Sequence, residues 1–135
     1  MEKKMISGHG IDLVDVTRFA DMDMQRLDSM ANRVLTEDEM PEYKGQPDIV
    51  GRIRHVAKMW AIKEAVAKSF GTGIRDAVVW QNIIVDHDEL GKPTVTFDNE
   101  LVEYANGRVC HISVSHDGDN VIASAILAYN NNSFN

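Results

Sequence analysis

The longest periodic segment of the sequence, from about Ile49 to Phe70, limits most strongly what this chain can fold into. When its residues are placed at 100° intervals, the apolar side chains fall on one side, which is typical of a helix packed on a core. The residues on this side are Ile53, Val56, Ala57, Trp60, Ala61 and Ala67. Gly71 and Gly73 follow, as glycine does where helices end. The sequence therefore predicts one long core helix.

An acidic residue interrupts this apolar side. Glu64 follows Trp60 by four residues and Ala57 by seven, so its carboxylate is expected to lose much of its water. An unpaired charge there would cost several kcal/mol, on the order of what a small domain has to spare. Lys68, four residues later, could neutralise it as an ordinary helix ion pair. A bound divalent cation is the alternative, and the helix pattern alone leaves both interpretations open.

Asp12 is the second candidate metal ligand. The segment from Met5 to Val16 is rich in apolar and β-branched residues and predicts a strand, in which aspartate is disfavoured. Two carboxylates from different elements, without a His or Cys cluster, suit Mg²⁺, which takes one or two protein carboxylates and completes its shell with phosphate and water. The pairing of Asp12 with Glu64 is a hypothesis at this point, since two distant acids meet in few folds.

A polar strand face is the third chemical feature. In the segment from His111 to His116, His111, Ser113 and Ser115 share one face of a strand, while Ile112 and Val114 share the other. The polar face either points to water or contacts an anionic ligand, and the pattern fits both. We find no nucleophile pair, because the side chains of adjacent residues in a strand, such as those of Cys110 and His111, point to opposite faces.

The remaining segments predict an α+β fold in which a mainly antiparallel sheet packs against the long helix. Thr36 and Glu39 form a capping box that starts a short helix, which Gly45 to Pro47 ends. Two further helices are predicted, one from Thr17 to about Met30 and one from Asp98 to Gly107 with Asp98 as its cap. The predicted strands after the long helix are Val78–Val85, Thr94–Phe97, Cys110–Ser115 and Val121–Tyr129, the last two joined by a tight turn.

Size and composition favour one domain over residues 1–135, with a frayed tail at 130–135. The net charge of −7 argues against a general nucleic-acid binder. The single cysteine, Cys110, excludes an intrachain disulfide and suits the cytoplasm. We expect no secretory signal and no membrane span, because no apolar run is long enough. A chain this small that holds a long ligand is expected to form an oligomer.

Together these features resemble the holo-acyl-carrier-protein synthases, which are small 4′-phosphopantetheinyl transferases. The likeness spans about Met5 to Leu127, and its segments are Gly10–Asp15, Thr36–Glu39, Trp60–Ala65 through Lys68, Gly71–Ile74, Gly91–Pro93 and His111–His116. The resemblance implies a homotrimer with an active site at each subunit interface. It also implies Mg²⁺, coenzyme A as co-substrate, an acyl carrier protein as acceptor, and 3′,5′-ADP as the second product.

The resemblance also assigns roles to residues. It implies Asp12 and Glu64 as metal ligands, and Glu64, Lys68 and His111 as the catalytic groups. It implies that Lys63, Lys68, Gly71, Pro93 and His111 bind coenzyme A. Lys63 is expected to cover apolar surface with its stem while its charge reaches outward, with a phosphate as one candidate partner. The group that accepts the serine proton stays open among a metal-ordered water, Glu64 and His111.

The chain departs from the family pattern at two places. Members usually carry an arginine where this chain has Met59, so a phosphate contact is either lost or moved to Lys58. The predicted first helix mixes both charges, with Arg18, Arg26 and Arg33 interleaved with Asp21, Asp23 and Asp28. This mixture either weakens docking of an acidic carrier protein or tunes it to another partner, with Phe19, Met22 and Met24 as apolar contacts; alternatively, the face is simply solvated and the methionines belong to the core.

Two other functions are compatible with the residues. The same carboxylates could serve another Mg²⁺-dependent enzyme that cleaves a phosphoanhydride, for example a pyrophosphohydrolase. Alternatively, Glu64 and Lys68 could merely pair within a non-catalytic binding module.

Overall fold

The structure of the chain is a computed structural model that describes residues 5–130. Its helices are α1 (Met24–Val34), α2 (Met40–Lys44), α3 (Ile49–Ser69) and α4 (Glu100–Ala105). Its strands are β1 (Ile6–Asp15), β2 (Ile83–His87), β3 (Pro93–Phe97), β4 (Arg108–Asp117) and β5 (Asn120–Tyr129). Short 3₁₀ helices cover Val16–Phe19, Glu37–Glu39 and Trp80–Asn82. The tail predicted at 130–135 lies outside the described residues from 131 onward.

The strands form two antiparallel sheets. The larger has the order β1-β5-β4, and α3 packs on one of its faces. The strands β2 and β3 form a separate hairpin. The predicted α+β class is therefore confirmed, with the sheet divided in two. None of the described helices is both long and apolar enough to cross a membrane.

The long helix α3 is the centre of the fold. Asp48 caps its start by accepting a hydrogen bond from the Gly51 N–H at 2.8 Å. It ends at Ser69, and Gly71 follows with a φ of +83°, a backbone conformation that favours glycine. The buried surface is wider than the apolar side predicts, since Met59, Ile62 and Val66 are also buried. The sheet covers one side of α3, while α1, α2 and β2 contact it as well.

A close approach of β1 to the end of α3 positions the chemical residues. A Cβ atom on Gly10 would collide with the Ala65 carbonyl oxygen and would lie 2.9 Å from Cβ of Lys68. A Cβ atom on Gly8 would likewise collide with the Ser69 carbonyl oxygen. Glycine at these two positions therefore lets the β1 backbone lie directly on the last turns of α3.

Several predicted boundaries are wrong: the first helix runs to Val34 rather than about Met30, and β4 extends past both ends of the predicted Cys110–Ser115. The helix predicted from Thr17 begins only at Met24, because Asp23 is the cap and accepts from the Arg26 N–H at 2.8 Å. Thr17 instead bonds to Asp15 through its N–H and its hydroxyl, at the start of a 3₁₀ helix.

Two boundaries in the second half of the chain also differ from the prediction. The strand predicted from Val78 begins only at Ile83, because a 3₁₀ helix occupies Trp80–Asn82. The N-cap position of α4 is Asn99 rather than Asp98.

The outer face of the three-stranded sheet carries exposed apolar side chains. This face points away from α3, whereas Val14, Ala123, Ala125 and Ile112 on the inner face are buried. Its large apolar residues are Ile6, Ile11, Leu13, Val109, Ile122 and Ile126, which are 36–62% exposed. Leu13 is the most exposed of them, at 62%.

Candidate active site

Lys68 and Asp12 form an ion pair where β1 crosses the end of α3. The Lys68 ammonium donates to Asp12 Oδ1 and to the Ile11 carbonyl oxygen, both at 3.0 Å. Asp12 is largely buried, with a side chain 14% exposed, while that of Lys68 is 48% exposed. Within residues 5–130, Lys68 thus has its ion pair with Asp12, rather than with Glu64 as the helix spacing suggests. The interpretation of Glu64 and Lys68 as a simple helix pair is therefore wrong.

Glu64 faces the same place. Burial raises the pKa of the Glu64 carboxyl, and the nearby negative charge of Asp12 raises it further. The cations Lys68 and Arg18 act in the opposite direction. The fold therefore brings together Asp12 and Glu64, which lie 52 positions apart in the sequence (64 − 12). Two acids share a partly buried site with one neighbouring ammonium.

The donor set of this site fits a hard divalent cation. Asp12 Oδ2 is buried and has no hydrogen-bond partner in the described part of the chain, although an ionised carboxylate offers about four acceptor positions. The described residues contain no group of three His, Cys, Asp or Glu side chains suited to a metal. A pair of carboxylates is, however, the protein contribution that Mg²⁺ usually receives when phosphates and water supply its other ligands. The residues present therefore fit Mg²⁺ together with a phosphate-bearing ligand.

His111 lies on the other face of the sheet. Ile112 and Cys110 point toward α3 and are buried, whereas His111 is exposed, as the predicted alternation requires. In the register of the sheet, His111 is opposite Ile126, which is opposite His9. Asp12, by contrast, contacts Lys68 on the α3 side of the sheet. In a single chain, His111 is therefore separated from the two acids and from Lys68 by the sheet itself.

Lys63 does not reach outward, and that prediction is wrong. Its side chain is fully buried, and its ammonium donates to Glu39 Oε1 at 2.7 Å, to the Val34 carbonyl at 2.8 Å and to the Trp80 carbonyl at 3.0 Å. These three bonds use all three N–H donors of the ammonium, so none is left for a coenzyme A phosphate. Its role is to join α3 to three other parts of the fold.

The other two residues assigned to coenzyme A lie in different places. Gly71 is exposed immediately after α3, three positions after Lys68, and its N–H donates to the Lys68 carbonyl at 2.9 Å. Pro93 begins β3 and is half-buried in the second sheet. Gly71 therefore belongs to the Lys68 end of α3, while Pro93 belongs to the β2–β3 hairpin.

Sequence reasoning missed a basic pocket between the start of α3 and the β4–β5 turn. The pocket measures about 320 Å³, and its charged and titratable lining residues are Arg54, His55, Lys58 and His116 together with one acid, Glu42. His55 is only 6% exposed, and its Nε2 has no hydrogen-bond partner among the described residues. Burial, and then the positive charge of Lys58, lower the pKa of His55. The signal available in the sequence was a basic cluster with helical spacing at 54, 55 and 58.

Comparison with known proteins gives the family of this fold. The chain matches the model of the 4′-phosphopantetheinyl transferase superfamily over residues 8–126. It is 35% identical to the holo-[acyl-carrier-protein] synthase of Geotalea daltonii, over 91% of this chain and 98% of the relative. Similar crystal structures include that of the Neisseria meningitidis synthase and that of the Bacillus anthracis synthase in complex with CoA (3′,5′-ADP).

Each structural match extends over nearly the full length of this chain and of the chain compared with it. The Neisseria meningitidis structure has a TM-score of 0.81 at 34% identity, covering 91% of this chain and 98% of that one. The Bacillus anthracis structure has a TM-score of 0.78 at 31% identity, covering 94% and 100%. The chain therefore belongs to the 4′-phosphopantetheinyl transferase superfamily and, within it, to the holo-acyl-carrier-protein synthases.

Proposed function

We propose that the chain transfers the 4′-phosphopantetheine arm of coenzyme A to a serine of an apo acyl carrier protein and releases 3′,5′-ADP. Membership of the family supports this activity, since relatives that the chain matches over 98% of their length are named holo-[acyl-carrier-protein] synthases. The structural observation that supports it is that Glu64 lies near Asp12 and Lys68, and that Asp12 Oδ2 is buried without a hydrogen-bond partner among residues 5–130. We further propose that the cation held by this pair is Mg²⁺.

The two acids and Lys68 account for the chemistry of phosphoryl transfer. Asp12 and Glu64 would hold Mg²⁺, and the bound ion would supply positive charge that stabilises the negative charge growing on the leaving phosphate. Lys68 adds a positive charge on a long, half-exposed stem that can reach a phosphate. The serine proton has three candidate acceptors: a metal-ordered water, Glu64 and His111.

We propose that the working molecule is a homotrimer whose sites lie between subunits. Two observations support a shared site. The outer sheet face exposes six large apolar side chains, which favours burial against another surface. His111 lies on that same face, so it can approach a coenzyme A phosphate only in the site of a neighbouring copy. Each site would then combine Asp12, Glu64 and Lys68 of one subunit with His111 of another.

The basic pocket is the proposed substitute for the family arginine that Met59 replaces. Met59 is buried in the core and cannot bind a phosphate. Lys58, one position earlier, lines the pocket together with Arg54, His55 and His116. The phosphate contact therefore moves to Lys58 in this proposal.

The first helix is proposed to dock the carrier protein. Two of its acids already have internal partners: Asp23 caps α1, and Asp28 accepts from the Tyr43 hydroxyl at 2.6 Å and lies 3.6 Å from an Arg52 nitrogen. Arg26 and Arg33 line a groove along α1 with Met22 and Met30. Within residues 5–130, Asp28 has an ion pair with Arg52 while Arg26 and Arg33 have none, which favours an acidic partner on this groove.

The apolar residues of this helix region divide between core and surface. Phe19 and Met30 are buried, while Met24 is 39% exposed. Of the three residues considered as apolar contacts, Phe19 is buried and Met22 is half-buried against the core, so only Met24 stays available for a partner.

We also propose a domain assignment, a metabolic role and a location in the cell. We treat residues 1–135 as one transferase domain, since the family match spans 8–126. A role in fatty acid biosynthesis follows from the acceptor, and the lone buried Cys110 is consistent with a cytoplasmic enzyme. Neither nucleic acid nor a membrane is a proposed partner.

The deciding experiment is the intact mass of carrier proteins after incubation with this protein, Mg²⁺ and coenzyme A. The proposal predicts that at least one apo carrier of a panel gains one phosphopantetheine, and that 3′,5′-ADP appears in equal amount. Cleavage of coenzyme A or nucleotides without any carrier would indicate a pyrophosphohydrolase instead. Failure to bind either Mg²⁺ or coenzyme A in calorimetry would indicate a binding module.

A further inference from the structure

Lys68 occupies part of the carboxylate that the proposed Mg²⁺ site requires. Its ammonium bonds Asp12 Oδ1 and the Ile11 carbonyl, each at 3.0 Å, while Asp12 Oδ2 is buried with no hydrogen-bond partner within residues 5–130. A positive charge of the protein itself thus lies against one of the two acids. A residue expected to contact phosphate is here bonded to a metal ligand.

The packing of β1 on α3 fixes this contact. Gly10 lies against the Ala65 carbonyl, and a Cβ atom at its position would be 2.9 Å from Cβ of Lys68. This close approach sets residues 11 and 12 beside the Lys68 stem. Both acceptors of the Lys68 ammonium therefore lie on β1, the strand on which α3 packs.

A cation bound by Asp12 would lie close to the positive charge of Lys68. Asp12 and Glu64 are two acids in a partly buried site, and Lys68 supplies a nearby positive charge in the absence of a metal. An Mg²⁺ ion lies about 2.1 Å from its ligand oxygens, so an ion on either oxygen of the Asp12 carboxylate, including Oδ2, would be within roughly 7 Å of the ammonium at its present position. Positive charges at such a distance repel one another in a site of reduced dielectric. The Lys68 side chain is 48% exposed, so it can leave without opening the core.

We propose that Lys68 is an exchangeable counter-ion, which holds Asp12 in the metal-free protein and is displaced when a divalent cation binds Asp12 and Glu64. The displaced ammonium is then free to bind a phosphate of the ligand. This inference rests on the proposed function, because it requires the cation site. It makes Lys68 a positioning residue for Asp12 before the metal binds, and it couples metal binding to phosphate binding.

The first test is the affinity of the coenzyme-free protein for Mn²⁺, which accepts the same oxygen ligands, measured by electron paramagnetic resonance of the free ion. Lys68→Met should bind Mn²⁺ about five-fold or more tightly than wild type, the size of a modest coupling between sites. The matched control is Lys44→Met, which removes the same charge from an exposed position on α2 and should change the affinity less than two-fold. Equal or weaker binding by Lys68→Met would overturn the proposal.

The second test uses wild-type protein and therefore does not depend on the folding of a variant. A crystal grown with Mn²⁺ and without coenzyme A should show the ion at Asp12 and Glu64 by anomalous scattering, with Lys68 Nζ more than about 4 Å from Asp12 Oδ1, beyond ion-pair distance. An ion bound while that distance stays near 3.0 Å overturns the exchange alone. Absence of an ion at Asp12 overturns the metal site and the exchange together, while the mass assay still decides the transferase activity.

Discussion

Two neighbouring residues of α3 illustrate how environment assigns roles at the scale of single residues. Lys63 and Glu64 are about 100° apart around the helix. Lys63 points into the core and ends on Glu39 and two carbonyls, whereas Glu64 points to Asp12 and Lys68. The same Glu39 carboxylate accepts the Thr36 and Val85 N–H groups, so the buried pair is fully hydrogen-bonded.

The buried pair gives a stability prediction. Lys63→Met leaves the Glu39 carboxylate in the core without its cation, which should lower the free energy of unfolding by about 3–5 kcal/mol. Urea unfolding measures this change, with Lys44→Met as the exposed control that should stay within about 0.5 kcal/mol of wild type. A loss below about 1 kcal/mol for Lys63→Met would show that the pair is not buried as described.

His55 gives a pH prediction. Its pKa in the folded protein is lowered from the ordinary value of 6.5, first by burial and then by Lys58. Between the lowered pKa and 6.5 the unfolded chain binds more protons than the folded protein, so the free energy of unfolding rises with pH in this range. The stability that the neutral His55 contributes is therefore lost as the pH falls below about 6.5. Replacement by Phe, which cannot titrate, should flatten this part of the profile. Urea unfolding at a series of pH values measures it, and identical profiles for both proteins would contradict the burial of a neutral His55.

At the scale of elements, the contact between β1 and α3 holds the site together. The glycines of β1 allow the strand backbone to lie on the helix, and this contact brings Asp12 to Lys68 and Glu64. The two acids come from the two elements that meet there, so the geometry of the site depends on their spacing.

Gly10→Ala tests this contact. The added methyl group would collide with the Ala65 carbonyl, so we expect a loss of stability of several kcal/mol, as for an overpacked core, and reduced transfer activity. Gly51→Ala is the matched control for stability. Its Cβ would meet mainly the flexible side chain of Gln46, and a helix favours alanine over glycine. Thermal unfolding compares the two, and a Gly10→Ala protein as stable as wild type would contradict the packing.

The elements also show what could be predicted from sequence and what could not. The period of α3 and its two glycines predict its bounds to within a residue, because local signals determine them. The start of α1 could not be predicted from Thr17, because Asp23 is a second capping residue and tertiary packing selects between them. The partner of Lys63 lies 24 positions away, so no local pattern reveals it (63 − 39).

At the scale of the whole molecule, a single chain does not bring together all the residues expected at the site. His111 lies on the exposed outer face of the sheet, and Asp12 lies on the opposite side. The alternation along the strand predicted the face of His111, but only the arrangement of β1, β5 and β4 shows that this face is the wrong one for a site within a single chain.

Mixing two inactive variants tests the shared site. Asp12→Asn and His111→Ala should each abolish or strongly reduce transfer, because each removes one residue from every proposed site when all subunits carry the same change. Coexpression of the two chains should restore activity at about a quarter of the sites, since random assembly gives each interface both intact residues at that frequency. Light scattering verifies the oligomer. Mixtures no more active than the separate variants would contradict sites built between subunits.

The most direct measurement of the central claim is the mass of an apo carrier protein after incubation with coenzyme A, Mg²⁺ and either wild type, Asp12→Asn or Glu64→Gln. Circular dichroism and thermal unfolding first establish that the variants are folded. The account predicts a carrier heavier by one phosphopantetheine with wild type and an unchanged carrier with both folded variants. Full conversion by either variant would contradict the claim that these two acids hold the ion on which transfer depends.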